Sequence, residues 1–167
     1  MSRLACILLG PLAAVLAWLV IGASWAVNSD WFVFTEHAFS DLGGPGARYP
    51  WLYNYGLITV GLVVAFYGVC QTVTCNSRAG VLGGGYMSLA GIFLSLIGVF
   101  PAGTRPHTFV STWFFIQIDL ALILMAYAAA RAGGRYSGKV LPLAIAAWPL
   151  ALIVEAVRGW PSAAVLE

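Results

Sequence analysis

The chain has 167 residues, of which 61% are hydrophobic and 8% charged, and its mean hydropathy is +0.90. A soluble domain carries about 25% charged residues, so this composition cannot cover a water-facing surface and specifies an integral membrane protein. The net charge of +2, from eight basic and six acidic residues, supplies no basic stripe for a phosphate backbone and excludes nucleic acid as an expected partner.

Five apolar runs approach or exceed the roughly 20 residues that a helix needs to cross the hydrocarbon core. They lie at about Leu4 to Val27, Trp51 to Thr74, Gly80 to Phe100, Phe109 to Ala130 and Val140 to Val157. The runs are continuously apolar, whereas barrel strands alternate, so the expected fold is all-α: a transmembrane helical bundle, one domain over residues 1–167. The first run outlasts a signal-peptide core and lacks a convincing cleavage box, which makes it a retained span.

Cys6, Cys70 and Cys75 form no CxxC pattern and are expected as free thiols within the core. Counting Lys and Arg in the connections places Arg3, Arg78, Arg131, Arg135 and Lys139 on one side and Arg48, Arg105 and Arg158 on the other. The excess predicts a multi-pass protein of the cell membrane with a cytoplasmic N-terminus. The cysteines then lie near the cytoplasmic ends, where a structural disulfide is not expected.

The first loop, Asn28 to Pro50, is long for a bundle connection and concentrates Glu36, His37, Ser40, Asp41 and Arg48. Ser29 or Asp30 can cap a short interfacial helix from Trp31 to Leu42, stopped by Gly43. On such a helix His37 and Asp41 share a face, as do Glu36 and Ser40. The third span carries Gly84, Ser88, Gly91, Ser95 and Gly98 in alternating steps of four and three, a small-residue seam that lets backbones approach. Gly61, Ala65 and Gly68 of the second span answer it. Contact between these two spans is expected, with a homo-oligomer through the seam as the other reading.

Pro106 suits the start of the fourth span, with Thr104 or a neighbour as cap. His107 and Ser111 share a face in its opening turns, on the same membrane side as the first loop because two spans separate the loops. Asp119 lies near mid-membrane and is expected to face the bundle. In the fifth span Glu155 and Arg158 are spaced to pair locally.

Several chemistries fit the outer polar cluster. Ser111 or Ser40 as nucleophile, His107 as base and Asp41 as orienting acid would make a hydrolytic triad. His37, Asp41 and His107, with Glu36, could hold a zinc-like ion, and the two histidines could ligate haem. No cofactor is expected beyond such a metal ion. The leading reading is non-enzymatic: a membrane lipid or another amphiphile bound by its headgroup in an outward polar pocket. Glu36, Ser40, Asn54, Tyr55, Trp113 and Asp119 are the binding candidates, ringed by Trp31, Trp51, Tyr53, Tyr55 and Trp113. A headgroup-directed enzyme centred on His37, Asp41, His107 and Ser111 is the alternative, and a transport or channel subunit around Asp119 is a third. The plain alternative is that these groups only satisfy loop carbonyls and helix ends.

The segments His37-Ala38-Phe39-Ser40-Asp41-Leu42-Gly43, Asn54-Tyr55-Gly56 and Gly98-Val99-Phe100-Pro101, followed by His107, Ser111 and Phe114-Phe115, resemble the membrane family called domain of unknown function 998 (DUF998). The pattern is also distantly similar to a eukaryotic superfamily that includes autophagy-modulator membrane proteins and a factor in glycosylphosphatidylinositol lipid remodelling. The resemblance implies a small helical bundle, commonly of six spans, whose motifs meet on one face. It implies no activity.

Overall fold

The computed structural model describes residues 3–133, 139, 141–146 and 149. Four long helices account for most of them: α1 (Arg3–Ala26), α2 (Pro50–Thr74), α3 (Arg78–Val99) and α4 (His107–Arg131). Each is long and apolar enough to cross a membrane, so the protein is a multi-pass helical bundle. The bounds fall within a few residues of the apolar runs because hydrocarbon thickness sets both. The fifth run, Val140 to Val157, with the Glu155 and Arg158 pair, lies mainly outside the described residues; within it residues 141–146 are helical.

The central pair is α2 and α3, with α1 packed against α2 and α4 against α3. Small residues bring the central helices together. A methyl group at Gly61 would collide with Gly91 and Ser95, one at Gly68 with Gly84 and Ser88, and one at Gly91 with Ala65. The Ser88 hydroxyl donates across the interface to the Ala65 carbonyl at 3.3 Å, and Ser95 donates to the Ile58 carbonyl at 3.1 Å. Hydrogen bonding and close van der Waals contact thus replace the hydrophobic drive that lipid cannot supply. The small-residue face of α3 is covered by α2 of the same chain.

Contacts with α1 are fewer and equally specific. Gly56 leaves room for Val20, and Gly10 lies under the Tyr67 ring. Cys6 and Cys70, both buried, form a disulfide with a Cα–Cα distance of 5.5 Å. This corrects the expectation of free core thiols. Sequence spacing gave no sign of the pair because it depends on α1 docking antiparallel to α2, across 64 residues of chain. Cys75 remains a free thiol.

The first loop departs from the expected interfacial helix. The stretch from Trp31 to Leu42 forms successive turns, and only Phe39–Gly43 is helical, as a short 3-10 segment. Two interactions favour the compact path. Asn28, fully buried, donates to the Ser24 carbonyl at 2.8 Å and to the Arg48 carbonyl at 3.1 Å, while its Oδ1 accepts from Arg48 N at 2.7 Å and from Trp31 Nε1 at 2.9 Å. Phe32 inserts beneath the loop, stacks 6.2 Å from Phe39 and joins Leu42, Tyr53, Leu57, Ile97 and Val110 in a buried cluster. The loop therefore folds inward as a cap on the bundle, with Phe32 in the core and Trp31 and Phe39 packed against it.

Candidate functional site

The 3-10 segment, the start of α2, the end of α3 and the start of α4 meet at one end of the bundle. Asn54 Nδ2 donates to the Gly43 carbonyl at 3.0 Å, which fastens the segment to α2. Gly43 lies so close to Asn54 and Tyr53 that a side chain there would collide with both. Gly98 gives α3 the same closeness to the Asn54 carbonyl and Ile58. At the start of α4, His107 Nδ1 lies 2.8 Å from the Phe100 carbonyl and ties that helix to the end of α3. The helix begins at Pro106 without a side-chain cap, contrary to the expectation for Thr104, whose hydroxyl instead donates to the Pro101 carbonyl at 2.8 Å.

Below this junction lies a cavity of about 280 Å³. Ser40, His107 and Ser111 line its polar end, while Leu57, Val60, Leu94 and Ile97 line the part lying deeper between the helices. Ala17, Trp18 and Ile21 of α1 form one wall and Phe114 and Phe115 of α4 the other. Trp18 is largely exposed on the outer surface of α1, so the cavity reaches the lipid-facing side of the molecule between α1 and α4.

The other candidates are distributed differently. His37 does not share a helix face with Asp41. Its Nδ1 lies 3.2 Å from Val33 N and 3.3 Å from Val33 O, and its ring packs edge-on to Trp31 at 5.1 Å. Asp41 accepts from Ala38 N at 2.9 Å, a local bond that stabilises the 3-10 turn. The expected Glu36–Ser40 face is lost with the helix: Glu36 is exposed, while Ser40 is half-buried and lines the cavity. Of the aromatic ring, Tyr53 is buried and lines the cavity; Tyr55, Trp51 and Trp113 are exposed, at positions suited to an interfacial belt.

Asp119 is half-buried on α4, twelve residues beyond His107 and therefore about 18 Å along the axis. Gln117, not Asp119, is buried; it lies on the face of Ala121, which packs against Gly83 of α3. Asp119 thus stands apart from the outer cluster and is not among the residues lining its cavity.

These bonds limit what the cluster can do. The Ser111 hydroxyl donates to the carbonyls of His107 at 2.8 Å and Thr108 at 3.2 Å. With Asp41 bonded to Ala38 N and His107 Nδ1 to the Phe100 carbonyl, the acid, the base and Ser111 are each engaged with backbone. A nucleophile–base–acid relay needs those groups bonded to one another. Among the described residues, no three His, Cys, Asp or Glu side chains come together as a metal-holding group. The geometry provides instead a small apolar cavity with a polar end.

Two contributors escaped the sequence reading. Asn28 holds the loop, and its signal was an amide placed at the end of a 24-residue apolar helix. Ala17, Trp18 and Ile21 supply a cavity wall that no motif in α1 announces.

Neither the curated proteins nor the solved structures gave a match. The model of the family described as "Protein of unknown function (DUF998)" matches residues 11–167. The motifs that carry the resemblance converge around Gly43, Asn54, Gly98 and His107 at one end of the bundle, and with nearly the whole length matched the chain belongs to the DUF998 family.

Proposed function

We propose that the protein binds a membrane lipid or related amphiphile, headgroup first, in the cavity between α1 and α4. The observation that carries this reading is the division of the cavity into a polar end at Ser40, His107 and Ser111 and an apolar remainder reaching the lipid-facing surface beside Trp18. An amphiphile entering sideways would meet both parts in the matching order. At about 280 Å³ the space falls just below the roughly 300 Å³ where ligand pockets begin. It suits a headgroup and the upper part of one chain better than a whole two-chain lipid.

Native mass spectrometry of protein released from nanodiscs tests the reading. Wild type is expected to retain an amphiphile, and Ala17→Trp, which fills the cavity from α1, is expected to lose it. Leu19→Trp, exposed on the opposite face of the same helix, should retain it. A well-folded wild type that never carries an amphiphile would rule the function out.

The Lys and Arg count supports a cytoplasmic N-terminus, with the binding end outside. The Cys6–Cys70 disulfide is compatible with that orientation because both cysteines are only 2% exposed and shielded from soluble thiols. An N-terminal tag reached by protease only in permeabilised cells is the expected result; cleavage in intact cells would reverse the orientation.

A further inference from the structure

We propose that the cavity selects amphiphiles whose headgroup donates a hydrogen bond, through a hydroxyl or a primary ammonium, over those that only accept. The inference rests on the amphiphile-binding reading and adds the chemistry of the headgroup. Its starting point is the bond between His107 Nδ1 and the Phe100 carbonyl at 2.8 Å. A carbonyl can only accept, so the proton of that bond is on Nδ1. In the neutral imidazole, Nε2 then carries a lone pair and acts as an acceptor. The ring lines the cavity, and Nε2 meets no protein donor among the described residues. Nor is it one of the sealed polar atoms that lack a partner, so it remains open to a ligand.

Ser111 reinforces the same preference. Its single hydroxyl hydrogen is directed to the carbonyls of His107 and Thr108, which leaves only lone pairs for a ligand. Ser40 adds a hydroxyl that can turn either way. The cavity lining includes no Lys or Arg. A phosphate-ended ligand would meet two acceptors, the hydroxyls of Ser40 and Tyr53 and no cation, and would lose more hydration than it regained in bonds. A primary ammonium could donate to both acceptors at once, and a hydroxyl to one of them while accepting from Ser40. At this end of the molecule Asp30 is paired with Arg48 at 2.8 Å. Glu36, Asp41 and Arg105 are the other charged side chains there among the described residues, and their balance is mildly negative, which favours an ammonium over an anion.

Four amphiphiles with the same dodecyl chain separate the terms: dodecanol, dodecylamine, dodecyltrimethylammonium and dodecyl phosphate. Each is added to the full chain in phosphatidylcholine nanodiscs, and the bound fraction is read by native mass spectrometry. The alcohol and primary amine are expected to be retained roughly tenfold better than the trimethylammonium and phosphate forms, the scale of one well-formed hydrogen bond. His107→Asn keeps a donor near the position of Nδ1 and removes the acceptor at Nε2, so the preference should fall severalfold while the melting temperature holds. Where that variant does not fold, Ser111→Ala removes the second acceptor from a site that tolerates a small residue, and should reduce the preference severalfold. Equal retention of all four compounds, or a preference for the phosphate, overturns the headgroup assignment and leaves amphiphile binding standing. Retention of none overturns both.

Discussion

Asn28 and Ser24 stand one helical turn apart and carry opposite energetic consequences. The Asn28 amide serves the Ser24 and Arg48 carbonyls, Arg48 N and Trp31, so Asn28→Ala strands several groups. The expected loss is about 1–3 kcal/mol, seen as a lower melting temperature in detergent. Asn28→Asp has nearly the same shape and cannot donate, so it should fail to restore stability. The Ser24 hydroxyl is buried with no partner among the described residues. Ser24→Ala therefore relieves an unmet polar group, and stability is expected to hold or to rise by up to about 1 kcal/mol. Neither result could be anticipated from the two residues' positions in the chain, where both look like polar breaks at the end of an apolar run.

At the scale of elements, α2 and α3 depend on glycines that leave no room for a side chain. Gly91 faces Ala65 and the Gly61 carbonyl, whereas Gly85, on the same helix, has open space where a Cβ would stand. Gly91→Ala should force the pair apart and cost about 1–3 kcal/mol; Gly85→Ala should be neutral or mildly stabilising, since alanine favours helix. Equal melting temperatures for the two variants would contradict the packing described here. The small-residue spacing in the third span made this contact legible because a step of four and three follows the helical period. The expected loop helix is absent for a related reason. The His37–Asp41 spacing fits a helix, yet a short bond from Ala38 to Asp41 and the burial of Phe32 under the loop favour turns.

For the whole molecule, the Cys6–Cys70 link and the α1–α4 cavity both depend on how α1 and α4 are brought around the central pair. Peptide mapping without reductant should recover Cys6 and Cys70 as one linked pair, with Cys75 alone alkylated after denaturation. Cys70→Ser should lower stability by about 2–4 kcal/mol, the usual contribution of a disulfide closing a long loop. If α1 then loosens from α2, amphiphile retention should fall in the same variant, because α1 forms one wall of the cavity.

By itself the sequence determined the membrane class, the four described spans to within a few residues, the α2–α3 contact and the family. These follow from local quantities: the length of an apolar run against the thickness of hydrocarbon, and the period of small residues along a helix. Only the tertiary structure decided which polar groups work together. Ser40, His107 and Ser111 share a cavity while His37, Asp41 and Asp119 do not line it, because the side-chain bonds of Asn28, Asp41 and His107 to distant or neighbouring backbone set the path of the loop. Such bonds join residues whose separation in the chain carries no periodic signal. Their partners became legible only when the helices were packed.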